Sequence, residues 1–185
     1  IVDAIRDVAK KFSYDDASVA REIVKFVQDV IEYEYDSVST GQEEYPRYPI
    51  ETLYERQGDC EDTSILMAAL LKEWGYEVGL LHLPGHAAVA IRTSDTYNAT
   101  AYYEIDGHRY LFIESTGSGW SIGEIPDEFL DAGAELYVIP EIGTLQAVCT
   151  PAISQNECMH HTFRLPKFKE HCNGPPHLSW MPPGM

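Results

Sequence analysis

The chain has 185 residues, enough for one domain with room for an appendage. Apolar residues make up 44% of it, enough for a packed core, which excludes wholesale disorder. Its 13 basic and 30 acidic residues give a net charge of −17 with no Lys/Arg cluster, which excludes nucleic acid as a partner and disfavours an anionic membrane surface.

Residues 1–12 carry Val2, Ile5, Val8, Ala9 and Phe12, a helical spacing. A second helix starts near Asp15-Asp16, whose acids suit a helix N-terminus, and its apolar face is Ile23, Val24, Val27, Val30 and Ile31. Residues 36–49 read as a loop, because Pro46 and Pro49 exclude a regular helix across them. This aromatic stretch either walls a substrate cleft or is a packed surface loop. Residues 51–56 form a short helical turn that Gly58 ends. The next helix runs from 59 to 74 and is apolar nearly all round from Ile65 to Leu71, so it is buried against other elements. Beyond Gly75 the pattern turns to strands at 77–83, 86–92, 99–105, 109–115 and 134–139, with Asp106-Gly107 as a hairpin turn. Helices first and short-connected strands afterwards give an α+β fold with an antiparallel sheet. No stretch is apolar for long enough to span a membrane.

Three residues in these elements carry a recognisable chemistry. Cys60 opens a helix, where unpaired N–H groups and the macrodipole favour a thiolate. His86 opens a strand after Pro84-Gly85, and Glu114 ends another strand in Phe112-Ile113-Glu114-Ser115-Thr116. They read as a thiolate nucleophile, its imidazole base, and the carboxylate that orients the base. The spacings are 26 residues from Cys60 to His86 and 28 from His86 to Glu114. The backbone N–H of Cys60 is the natural first oxyanion donor, and the Gln57 side chain is a candidate second one. His82 competes with His86 for the base, and Asp106 with Glu114 for the acid.

The string Gly58-Asp59-Cys60-Glu61-Asp62, the long apolar helix, Pro-Gly-His entering a strand and the acid-Ser-Thr strand end occur in the order of the transglutaminase-like (papain-related) superfamily. The chain resembles the prokaryotic cysteine peptidases of that type over residues 45–120. The resemblance implies a papain-like/transglutaminase-like core, helices packed on an antiparallel β-sheet, with the nucleophile at a helix N-terminus. It selects His86 over His82, since the histidine there begins a strand of small and β-branched residues. Aspartate usually stands where this chain has Glu114, and the longer side chain must reach the imidazole Nδ1 from slightly farther back. In some relatives the carboxylates beside the cysteine hold calcium, here Asp59 and Glu61 with Asp62. Their simpler role is to cap the helix and complement its dipole.

The expected activity is thiol-dependent acyl chemistry on peptide or amide bonds of a protein or peptide substrate, most simply hydrolysis. Two alternatives stay open: a protein-glutamine transglutaminase, if an amine replaces water, and a non-catalytic binding module on the same fold. No organic cofactor is needed. Residues 1–140 form the catalytic domain, and 141–185 an irregular appendage rich in cysteine, histidine and proline. Cys149, Cys158, His160, His161, His171, Cys172 and His177 there form one internal disulfide, a zinc site, or neither, while Cys60 stands apart from them. Asn98-Ala99-Thr100 is an N-glycosylation sequon. The chain opens at Ile1, so a signal or anchor upstream would not show. An extracytoplasmic setting is the expectation; oligomeric state is not legible.

Overall fold

The computed structural model describes residues 1–93, 102–105, 107–130 and 132–140. Asp106, the sequon and the appendage with its cysteines and histidines therefore lie outside the described residues. α1 (Val2–Phe12) ends at Ser13, with Lys10 and Lys11 in the last turn, where cations suit the C-terminal dipole. Asp15 caps α2 (Asp16–Val30) by accepting from the Ser18 N–H at 2.8 Å. The α2 face of Val19, Ala20, Ile23, Val24 and Val27 is buried.

Between α2 and the buried helix the chain makes more structure than its prolines suggested. A two-residue strand β1 (Glu32–Tyr33) pairs in parallel with β2 (Gln57–Gly58). A single-turn helix α3 (Asp36–Ser39) occupies the start of the expected loop. Pro49 does not stop α4 (Pro49–Glu55) but begins it, since a first-turn N–H has no helical acceptor to lose. Then comes α5 (Cys60–Trp74), closed by Gly75 at φ 116°.

Five antiparallel strands follow, β3 (Val78–Leu83), β4 (His86–Thr93), β5 (Tyr102–Ile105), β6 (His108–Ile113) and β7 (Glu135–Val138), in the order β5-β6-β4-β3-β7. Side chains alternate across the sheet. Val78, Leu80, Val89, Ile91, Leu111 and Ile113 join the buried faces of α2 and α5 in the main core. Leu81, Leu83, Ala88, Ala90, Tyr110 and Phe112 form a second cluster on the other face, with Ile125 and Phe129 against it. This α+β core sets the site, because α5 packs directly on β3 and β4.

Candidate active site

One tight turn and one close approach place His86 and Cys60. Leu83 pairs with His86 in the β3–β4 register, so the connection is the two residues Pro84-Gly85. Gly85 sits at φ 70°, a conformation that proline-glycine turns use and that side chains resist. The turn makes His86 the first residue of β4. Gly58 is required for a different reason: a Cβ there would come within 2.6 Å of Asp62 Cβ. The close approach of β2 to the first turn of α5 fixes where Cys60 starts the helix.

His86 and Glu114 meet. His86 Nε2 lies 3.0 Å from Glu114 Oε2 and 3.2 Å from Oε1. The contact falls on Nε2, not on the expected Nδ1. One face of the imidazole stacks on Phe129, with ring centroids 4.9 Å apart. Glu114 is 2% exposed, and its Oε1 also accepts from the Thr116 N–H at 2.9 Å and hydroxyl at 2.8 Å. Burial pushes this carboxyl up, but the bond and charge of His86 and the two Thr116 donors outweigh it and hold Glu114 below its usual value. Its main-chain carbonyl is pinned from the far side, where Gln28 Nε2 of α2 donates at 2.8 Å. His82 sits inside β3 opposite Ala87 and Glu135, and β4 lies between it and β6, the strand that leads into Glu114.

Cys60 is the first residue of α5 and is buried. It is disulfide-bonded in this structure. Its sulfur lies 3.3 Å from Glu61 Oε2. Gln57 is half-buried in β2, held opposite Glu32.

The acids around Cys60 divide into two groups. Asp62, expected among metal ligands, is taken by Arg47. The Arg47 main-chain N–H donates to Asp62 Oδ1 at 2.7 Å and its guanidinium to Oδ2 at 2.5 Å. The same side chain, fully buried, also holds Asp36 at 2.6 Å, Glu55 at 3.0 Å and Ser39 Oγ at 2.7 Å. So the Tyr45-Pro46-Arg47 stretch is an anchored loop, with Tyr48, Ile50 and Tyr54 of its continuation turned to solvent. Sequence reasoning missed Arg47; an arginine flanked by prolines gives no local sign of burial.

The second group is Asp59 and Glu61, with Asp36 and Glu44. Asp59 holds the N-cap position but makes no side-chain cap bond, and its Oδ1 is buried without a partner. One ligand oxygen each from Asp36, Glu44 and Glu61 lies within 4.8 Å of the others. Burial, then the charge of Asp62, pushes Asp59 up to about 7. Burial, then Asp59, with the hydrogen bonds of Glu44 and Asp59, pushes Glu61 up to about 10. An all-oxygen set of crowded carboxylates with an orphaned buried oxygen beside it suits a hard divalent cation such as calcium, and not zinc, which prefers nitrogen and sulfur.

A family model described as transglutaminase-like domain matches residues 3–117. The chain belongs to the transglutaminase-like family. Solved structures similar to it include Legionella pneumophila LapG in three states. Calcium-bound LapG is 16% identical with a TM-score of 0.41, over 74% of this chain and 87% of that one. LapG itself is 14% identical with a TM-score of 0.43, over 77% and 90%. EGTA-treated LapG is 15% identical with a TM-score of 0.44, over 75% and 86%. No curated protein matches the sequence. Among the described residues of this transglutaminase-like chain, no helix is long and apolar enough to cross a membrane.

Proposed function

We propose that this transglutaminase-like domain is a thiol-dependent acyl-transfer enzyme that hydrolyses peptide or amide bonds once Cys60 is reduced. The observation that carries the reading is the His86–Glu114 pair, its carboxylate buried, with the next residue, Ser115, hydrogen-bonded to the first turn of the Cys60 helix. A disulfide sulfur cannot act as the nucleophile, so an external dithiol reductant first converts the Cys60 disulfide to two thiols and is itself oxidised to a disulfide. The Cys60 thiolate then attacks the carbonyl carbon, forming a C–S bond. His86 carries the thiol proton on Nδ1 and gives it to the leaving amine as the C–N bond breaks. Glu114 on Nε2 fixes the ring and stabilises its cationic form. The Cys60 N–H, at the start of α5, is the first candidate donor to the developing oxyanion, and Gln57 is the candidate second donor. Water, deprotonated by His86, releases the acyl group; an amine in its place would make the reaction a transamidation.

Asp36, Glu44, Asp59 and Glu61 are the residues that would hold calcium. When bound, the cation would favour the ionised form of these carboxylates and balance their charge beside Cys60. The Glu61 oxygen beside the sulfur is the most direct of these.

One observation favours a second reading, a non-catalytic module: Cys60 is disulfide-bonded. The two separate in a peptide-library cleavage assay on the reduced full chain, with a fluorescent amine added in parallel. Cleavage that requires reductant and disappears in a folded Cys60→Ala variant supports the hydrolase. Amine incorporation without cleavage moves the assignment to transglutaminase. No turnover in either arm, or turnover retained by Cys60→Ala, removes the mechanism.

A further inference from the structure

Three buried hydroxyls join the nucleophile's helix to the strand end that carries the acid. Thr63 Oγ1 lies 2.9 Å from Ser115 Oγ, and Ser64 Oγ lies 2.8 Å from the same atom. All three residues are at most 2% exposed, and 51 or 52 positions separate the two segments. Thr63 also donates back to the Asp59 and Cys60 carbonyls, at 2.9 and 3.2 Å. The cluster therefore grips the main chain on both sides of Cys60.

Strand alternation explains the placement. Leu111 and Ile113 face the helices, while Tyr110 and Phe112 face the other side. Continued past the end of β6, that alternation sends Glu114 to His86 and Ser115 to α5, as the contacts show. Apolar residues in these places would fill the space without fixing a register. Hydrogen bonds between buried hydroxyls are directional and leave unpaired groups behind if the helix slides.

We infer that Ser115, with Thr63 and Ser64, is a positioning residue that sets the register of the Cys60 turn against the His86–Glu114 pair. The inference rests on the proposed thiol–imidazole reading. Ser115→Ala removes the shared hydroxyl while Glu114 keeps its bonds to Thr116, His86 and Gln28.

The test measures alkylation of Cys60 by iodoacetamide at pH 7 in the reduced full chain, followed on the Cys60 peptide by mass spectrometry. The His86 Nε2–H proton resonance is recorded alongside. Ser115→Ala is expected to slow alkylation about 10- to 100-fold, the scale of a sub-ångström to ångström misplacement. The resonance should persist, and Ser115→Thr, which keeps a hydroxyl, should recover most of the rate. If Ser115→Ala folds poorly, Ser64→Ala removes one arm of the bridge and should slow alkylation in the same direction by less. Wild-type alkylation in a Ser115→Ala protein that has merely lost thermal stability would overturn the inference. So would loss of the resonance together with the rate, because the acid–base pair itself would then have come apart. A His86→Ala variant that alkylates like the wild type marks a different failure, that of the thiol–imidazole reading, and takes this inference with it.

Discussion

Glutamate serves as the imidazole's partner here because it is held at three places. Thr116 fixes one carboxylate oxygen, His86 lies across both oxygens, and Gln28 pins the main-chain carbonyl. A longer side chain loses more rotamer freedom on ordering, and these contacts offset that cost. Glu114→Gln keeps the shape and removes the charge that favours imidazolium, so kcat/KM of the reduced enzyme is expected to fall about 10²- to 10⁴-fold. Glu114 also marks the acid side of stability. Its folded pKa lies below the unfolded one, so its contribution is full above the unfolded value, about 4.3, and fades as pH falls through the folded value. The Tm difference between wild type and Glu114→Gln should accordingly shrink as pH drops from about 6 to about 3. A difference that grows on acidification would contradict the assignment.

Among the elements, α3, α4 and α5 are joined by one buried arginine. Arg47 faces Asp36 of α3, Glu55 of α4 and Asp62 of α5. Cutting the side chain away leaves two buried carboxylates without their cation, a change that costs about 3–5 kcal/mol in comparable buried pairs. Arg47→Ala should therefore lower the unfolding free energy measured by urea titration by an amount in that range, and Asp62→Asn by less; an unchanged value would show that the hub is solvated in solution. This hub also shows where the sequence stops being readable. The strands β3, β4 and β6 follow from period-two apolar residues and glycine turns, and α5 from its run of apolar residues, all of which are local signals. The positions of Cys60, His86 and Glu114 follow from the ends of those elements. Arg47, the β1–β2 pair and the Ser115 bridge depend on partners far along the chain, and no window of sequence reports them. The choice between Nε2 and Nδ1 depends on the position of Glu114 relative to the ring, whose plane Phe129 meets by stacking from 43 residues away. Asp62 reads as a metal-ligand candidate from its position beside Cys60, while its pairing with Arg47 is a tertiary fact that no window of sequence reports.

The molecule as a whole carries −17, and part of that charge is packed inside rather than spread on the surface. Asp59 and Glu61 are less than 7% exposed yet sit next to each other and to Asp62. Both have folded pKa values raised above the unfolded ones, up to about 7 and about 10. The stability they contribute is complete below about pH 4, where the unfolded chain is also protonated, and is lost as pH rises through those folded values. In chelator, Tm should fall from about pH 5 to about pH 8, and millimolar calcium should raise it most at the upper end. A calcium effect that is absent at pH 8, or largest at pH 5, would contradict the cation site. The central claim, that Cys60 and His86 form an activated pair, is tested most directly by the pH dependence of Cys60 alkylation in the reduced full chain, wild type against His86→Ala, with calcium present. The account predicts a wild-type thiol that reacts well below pH 7 and loses that reactivity without His86. A Cys60 that titrates like an ordinary thiol, near pH 8.5, in both proteins would contradict it.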